Sequence, residues 1–317
     1  MDLHFTTPHT IRHIHECPSD YEGKVVTTLI EARANNYRSP QNRQSILYIH
    51  GFSDYFFQEE LLKGFNDRAV NFFAVDLRKC GRSLLAHQHP NYCKSLKEYF
   101  ADIDYAIALI KERSPQAPLL LLGHSTGGLL ASYYAHYGAL RSEVSGLILN
   151  SPFFAFNMPA AVRLLIPAVA RLMLRFNPYA SFSGGVSDVY GQSLLKSFYG
   201  EWTFNEKWKP VRAFPAFYAW ILAVNEAQKA VRERPKLSLP ILLMHSDKSL
   251  KTQVWSPQAQ QADLVLNVRD IERIGLKMGT QVTHVVIENG LHDLFLSREE
   301  VRDSVWNHTQ SWLAQLP

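Results

Sequence analysis

Hydrophobic positions along this chain follow two rules, and the change from one to the other outlines its elements. Residues 9–16 and 24–31 alternate between apolar and polar, and Val25-Val26-Thr27-Thr28-Leu29-Ile30 is dense in β-branched residues, so both stretches are predicted strands. A polar connection covers 35–44. Beyond it Ile46-Leu47-Tyr48-Ile49, Phe72-Phe73-Ala74-Val75 and Leu119-Leu120-Leu121-Leu122 are unbroken apolar runs, and further strands are expected at 144–149, 241–245 and 282–287. Runs without alternation are expected of strands buried on both faces. Between them Leu96, Phe100, Ile103, Ile107 and Ile110 recur at three and four, predicting a helix over 95–113. Further helices are expected from an N-cap at Asp54 to about Asn66, from Ser125 to about Gly138, and over 267–277 and 298–314. This strand–helix alternation makes the chain an α/β protein, with a mostly parallel sheet, right-handed crossovers and helices on both faces.

The alternation stops at Ser151-Pro152 and resumes at Ile241. Residues 151–235 are rich in aromatics and prolines and contain no clean buried strand, so they read as an insertion, a cap, on a core made of 1–150 and 236–317. An insertion there lies beyond the carboxyl ends of the strands, where open α/β sheets bind ligands. Within 158–176, Leu164, Leu165, Ala168, Val169, Leu172, Met173 and Phe176 share one helical face, and Arg163, Arg171 and Arg175 another. That apolar face either covers the sheet and the mouth of the site or forms an acyl-chain groove with superficial membrane contact. Pro167 is expected to bend or divide the helix.

Composition narrows the classes. With 46% hydrophobic and 20% charged among 317 residues, the chain has ample material for a core. A net charge of +4, with Lys and Arg scattered, leaves no footprint for nucleic acid. Cys17, Cys80 and Cys93 form no Cys-x-x-Cys pair, so neither a disulfide framework nor a thiolate metal site is expected. The first 17 residues carry four histidines and no apolar run, unlike a secretory signal. The greasiest stretch, 158–174, is broken by Arg163, Pro167 and Arg171 and will not span a bilayer. A soluble, cytoplasmic protein is the expectation.

The chemistry gathers at Gly123-His124-Ser125-Thr126-Gly127, between a buried strand and a helix. Small residues around Ser125 let strand and helix close into a sharp turn that lifts the hydroxyl clear of the sheet, the mechanics of a nucleophile elbow. A serine needs a base, a group to orient that base, and donors for the oxyanion. In chain order acid and histidine follow such a serine. His245 and His284 fall inside strands and His308 inside the last helix. His292 follows Gly290 in a loop at the sheet's carboxyl edge, and is the base. Two acids compete: Asp247 directly follows the strand 241–245, whereas Asp263 precedes His292 by 29 positions (292 minus 263), one helix and one strand with short turns. Asp263 is preferred, and 248–261 becomes extra loop. Asp293 is read as a cap. The oxyanion donors are expected to be the N–H groups of Thr126 and of Phe52, which follows His50-Gly51.

Together, His50-Gly51-Phe52, Asp76-Leu77-Arg78-x-x-Gly81-Arg82-Ser83, Gly123-His124-Ser125-Thr126-Gly127-Gly128, Asp263-x-Val265-Leu266 and Gly290-Leu291-His292 resemble the α/β-hydrolase superfamily. They are most similar to its serine aminopeptidase-like branch, which includes monoacylglycerol lipases and lysophospholipases. Cys80 departs from that branch, which has glycine there, and so does the long loop before Asp263. The resemblance implies a serine hydrolase of carboxylic esters without cofactor or metal, acting on a small acyl ester through an acyl-enzyme. Aminopeptidase or thioesterase action would use the same three residues, and a non-enzymatic binding protein could share the fold.

Overall fold

The computed structural model describes residues 10–34, 44–183 and 185–316; the connection expected over 35–44 lies, apart from Gln44, outside them. In chain order the strands are β1 (Thr10–Asp20), β2 (Gly23–Ala32), β3 (Ser45–Ile49), β4 (Asn71–Asp76), β5 (Leu119–His124), β6 (Val144–Asn150), the two-residue β7 (Ser181–Phe182) and β8 (Ala216–Phe217), β9 (Ile241–Ser246) and β10 (Val282–Ile287). The helices are α1 (Glu59–Asn66), α2 (Phe100–Arg113), α3 (Thr126–Tyr137), α4 (Ala160–Phe176), α5 (Asp188–Leu194), α6 (Tyr218–Glu233), α7 (Val268–Gly275) and α8 (Glu299–Leu313). Eight strands form one sheet in the order β1-β2-β4-β3-β5-β6-β9-β10. The β1–β2 hairpin and the β2–β4 pair are antiparallel, and the rest of the sheet is parallel.

The unbroken apolar runs have the expected cause. In β5, Leu119 and Leu121 enter the layer shared with α2, α3 and α6, while Leu120 and Leu122 enter the layer under α1 and α8. All four are fully buried, each contributing about 1.5–3 kcal/mol of transfer free energy. A capping box at Ser95, closed by Glu98, starts the 3₁₀ turn Leu96–Tyr99 that leads into α2.

Two expectations need correcting. The helix drawn from Asp54 begins only at Glu59, with Gln58 at its N-cap. Residues 51–58 run as a loop because side chains take their backbone donors: Asp76 Oδ1 accepts from Phe56 N (2.9 Å), and Asp54 Oδ1 from Tyr55 N (2.9 Å). The second concerns α4, which runs through Pro167 undivided. It packs on α6 through the side holding Arg163, Ile166, Ala170 and Leu174, and Ala170 is its one buried residue. Arg163 ion-pairs with Asp270 of α7 and so leaves the face of Arg171 and Arg175. Leu164, Leu172 and Phe176 stand 82%, 56% and 80% exposed, so the apolar stripe is not what holds the helix down. Among the described residues no helix is long and apolar enough to cross a membrane.

His245 and His284, on neighbouring strands, meet through their Nε2 atoms at 2.8 Å, and His245 Nδ1 donates to Ser246 O (2.7 Å). Burial pushes the His245 imidazole below its ordinary pKa; the bond to Ser246 opposes this and His284 adds to it. The unfolded chain therefore binds the proton first. Stability should fall as pH drops below about 6.5, the ordinary histidine value, and His245→Gln should flatten that limb in urea denaturation measured across pH.

Candidate active site

Ser125 joins β5 to α3 with φ +53° and ψ −115°, a conformation that costs a non-glycine residue about 1–3 kcal/mol. Its neighbours hold it there. Ser125 N donates to Asn150 O (3.0 Å), and Ser125 O accepts from Gly128, Leu129 and Phe153 at 3.0, 3.1 and 2.9 Å. The approach of strand and helix leaves no room for a side chain: a Cβ on Gly127 would lie 2.0 Å from Ile49 O, and one on Gly123 2.4 Å from Gly127 O. Thr126 opens α3, so its N–H is one of the donors that a helix start leaves unpaired, at the positive end of the dipole.

His292 and Asp263 meet, with Nδ1 2.8 Å from Oδ2. A carboxylate only accepts, so Nδ1 carries the proton and Nε2 is left as an acceptor. Asp263 is fully buried, and its other oxygen accepts from Val265 N (2.8 Å) and Leu266 N (2.7 Å). The extra loop pins it as well, through Asp263 N to Lys248 O and Leu250 N to Asp263 O, both 2.9 Å. Asp247 lies elsewhere, accepting from Asn289 N (2.9 Å) and pairing with Lys248. Asp293 caps the 3₁₀ turn Leu294–Leu296 and accepts from Asn150 Nδ2 (2.7 Å) and Gln58 Nε2 (3.3 Å).

Phe52 belongs to the loop after β3, which His50 braces. His50 Nε2 accepts from Leu77 N (3.1 Å), so its Nδ1 donates to Gly51 O (2.8 Å). Asp76 takes Phe56 N on one oxygen and Arg82 on the other, tying this loop to the turn after β4. In that turn Cys80 has extended backbone (φ −133°), so glycine is not required at its place; Gly81 takes the positive φ, +49°.

Gly51, Phe52, Ser125, Thr126 and His292 line one cavity of about 450 Å³. Much of its lining is apolar, including Phe153, Phe156, Leu165, Val169, Trp220 and Val265. It also includes Asp54, His124, Tyr190 and Lys209, groups that the sequence did not assign to a site. Lys209 Nζ donates to Asp54 Oδ1 at 2.8 Å. Asp54 Oδ2, both ring nitrogens of His124, Thr126 Oγ1 and Tyr190 Oη are buried without a hydrogen-bond partner in the protein. Burial favours the neutral form of Asp54, but the Lys209 ammonium, then His124 and His50, outweigh it and hold the carboxyl below its ordinary range.

A family model described as serine aminopeptidase, S33, matches residues 40–299, and the chain belongs to that family. A Schizosaccharomyces pombe relative that carries a provisional monoglyceride lipase name is 24% identical over 205 residues, 63% of this chain and 52% of that protein. The chain thus spans about half the length of that relative. A monoacylglycerol lipase of Mycolicibacterium smegmatis is 22% identical over 276 residues, 86% of this chain and 88% of that one. Among solved structures, a soluble variant of Saccharomyces cerevisiae monoglyceride lipase in complex with a substrate analogue superposes with a TM-score of 0.69. That match covers 100% of this chain and 99% of the other at 16% identity, and it shows the fold, that of an α/β-hydrolase.

Because nothing but backbone faces Gly123, Gly123→Ala should lower stability by about 1–3 kcal/mol or more and displace Ser125. Urea denaturation, together with labelling by a fluorophosphonate, measures both effects. A stable, fully labelled variant would refute the close-approach account of the elbow.

Proposed function

We propose that this member of the serine aminopeptidase (S33) family hydrolyses carboxylic esters of lipophilic acyl chains, of the monoacylglycerol or lysophospholipid type, through an acyl-enzyme. Ser125 is the nucleophile, and its proton passes to Nε2 of His292 as the hydroxyl attacks the acyl carbonyl. Asp263 keeps Nδ1 protonated and steadies the imidazolium that forms. The N–H groups of Phe52 and Thr126 hold the tetrahedral oxyanion. The alcohol leaves with the proton from His292, and water activated by the same ring releases the acid. What supports this reading above all is the 2.8 Å contact between Asp263 and His292, on the wall of an apolar cavity that Ser125 also lines.

Residues 151–235 act in this reading as a cap on a core of 1–150 and 236–317. Leu165, Val169 and Trp220, from α4 and α6, add to the cavity's apolar lining, suited to an acyl chain. An aminopeptidase would need a free carboxylate for the substrate ammonium. Asp188, Glu201, Glu206, Glu226 and Glu233 do not line the cavity, and Asp54, which does, is already paired with Lys209. The exposed Leu164, Leu172 and Phe176, flanked by Arg171 and Arg175, suit contact with an anionic lipid surface that holds the substrate. Cys17, Cys80 and Cys93 are buried free thiols, consistent with a cytoplasmic location.

Ser125→Ala should abolish hydrolysis of p-nitrophenyl esters and fluorophosphonate labelling in a protein that still folds. Asp263→Asn should lower kcat by about 10⁴, because the amide favours the wrong imidazole tautomer, while Asp247→Asn costs little. The reverse ranking of the two aspartates would sink the assignment of the acid.

Leu164→Ser combined with Phe176→Ser should weaken co-sedimentation with phosphatidylserine-containing vesicles about tenfold and leave hydrolysis of a short soluble ester unchanged. Equal co-sedimentation of the variant and the native protein would remove the membrane role of α4.

A further inference from the structure

Lys209 has no part in the reaction proposed above, yet it is buried at the wall of the same cavity. It is 7% exposed, with its ammonium 2.8 Å from Asp54 Oδ1 and facing the rings of Phe57 and Phe204 at 5.6 and 5.8 Å. Asp54, 1% exposed, comes from the loop that also carries Phe52, so the pair spans from that loop to the segment between α5 and β8. Its second oxygen has no hydrogen-bond partner and lies 3.7 Å from His124 Nδ1, itself unpartnered, as is Tyr190 Oη. A purely structural ion pair would have its remaining lone pairs and protons satisfied. Here Asp54 and Lys209 belong, with His124 and Tyr190, to the residues that line the cavity, so their charges act on the alcohol portion of an ester held there.

We infer that Lys209 sets the charge preference of this alcohol end: by neutralising Asp54 it makes the site favour esters whose alcohol carries no positive charge. The inference rests on the ester-hydrolase reading. An ionised carboxylate in a low-dielectric pocket attracts a cationic head, whether a quaternary ammonium or an α-ammonium. An ammonium at 2.8 Å cancels most of that field, so the pair adds little net charge to the cavity wall. The nearby Asp293 does not restore the charge preference, because Asn150, Gln58 and Phe295 N already occupy its oxygens and it does not line the cavity.

The test compares kcat/KM for three esters that share one acyl chain: monooctanoylglycerol, octanoylcholine and octanoylglycerol phosphate. The native enzyme should favour the glycerol ester over the choline ester. Lys209→Met leaves a lone anion and should raise the choline-to-glycerol ratio about tenfold or more. Asp54→Asn leaves a lone cation and should raise the phosphate-to-glycerol ratio similarly, while Lys209→Arg keeps the native ratios. A merely structural pair would lower all three activities together, since no general defect moves the two ratios with the sign of the remaining charge. If Lys209→Met does not fold, Asp54→Asn alone decides, and the double variant Asp54→Asn/Lys209→Met should return to native ratios. Ratios that stay within about twofold in Asp54→Asn overturn the inference. Failure of the native enzyme to cleave any of the three esters, with no fluorophosphonate labelling, would instead overturn the ester-hydrolase reading.

Discussion

The contact on which the rest of this structure depends is the one between the backbone of β5 and the first turn of α3. Gly127 lies so near Ile49 O, and Gly123 so near Gly127 O, that Ser125 must take a positive φ for the chain to pass. The cost of that conformation is met by hydrogen bonds at both of its ends, to Asn150 O and from Gly128, Leu129 and Phe153. Packing alone would not keep a serine so oriented. The buried leucines of β5 fix the strand, and the fully buried Leu129 and Leu130 fix the helix. Between two rigid bodies the serine has one path.

The loops around Ser125 are held differently, by buried polar groups rather than by apolar contact. His50 reaches Leu77 N across the ends of β3 and β4, and Asp76 grips both Phe56 N and Arg82. Asn150 donates to Asp293 and accepts from Leu294 N, joining the end of β6 to the turn after His292. Each of these bonds links two loops at the carboxyl edge of the sheet. Loops so tied keep the N–H groups of Phe52 and Thr126 and the ring of His292 in fixed relation without a packed core of their own.

This division explains what could be read from the chain beforehand. Most strands and the elbow are legible because their signals are local: apolar runs, and glycines two residues to either side of Ser125. The 29-residue spacing already favoured Asp263 over Asp247 as the neighbour of His292, because a loop, a helix and a strand join them. Asp54 was misjudged as a helix cap because its partner, Lys209, lies 155 positions on, and no local pattern announces an ion pair of that range. The stripe on α4 misled in another way. Periodicity identifies an apolar face but not what covers it, and here the packed side is the one carrying Ala170 and Arg163.

Three carboxylates, those of Asp54, Asp263 and Asp293, lie close enough to act together on the buried Tyr190 hydroxyl, whose pKa burial raises first and these charges raise further. Like charges this near one another, out of water, disfavour their own ionisation. Asp293 and one oxygen of Asp263 are stabilised by neutral donors, side-chain amides and backbone N–H groups, which add no charge. Asp54 alone is given a full positive charge, from Lys209. With Asp54 neutralised locally, the negative charge in contact with the His292 ring is that of Asp263, on the side of Nδ1. The Asp54–Lys209 pair and the Asp263–His292 contact are therefore two parts of one arrangement of buried charges.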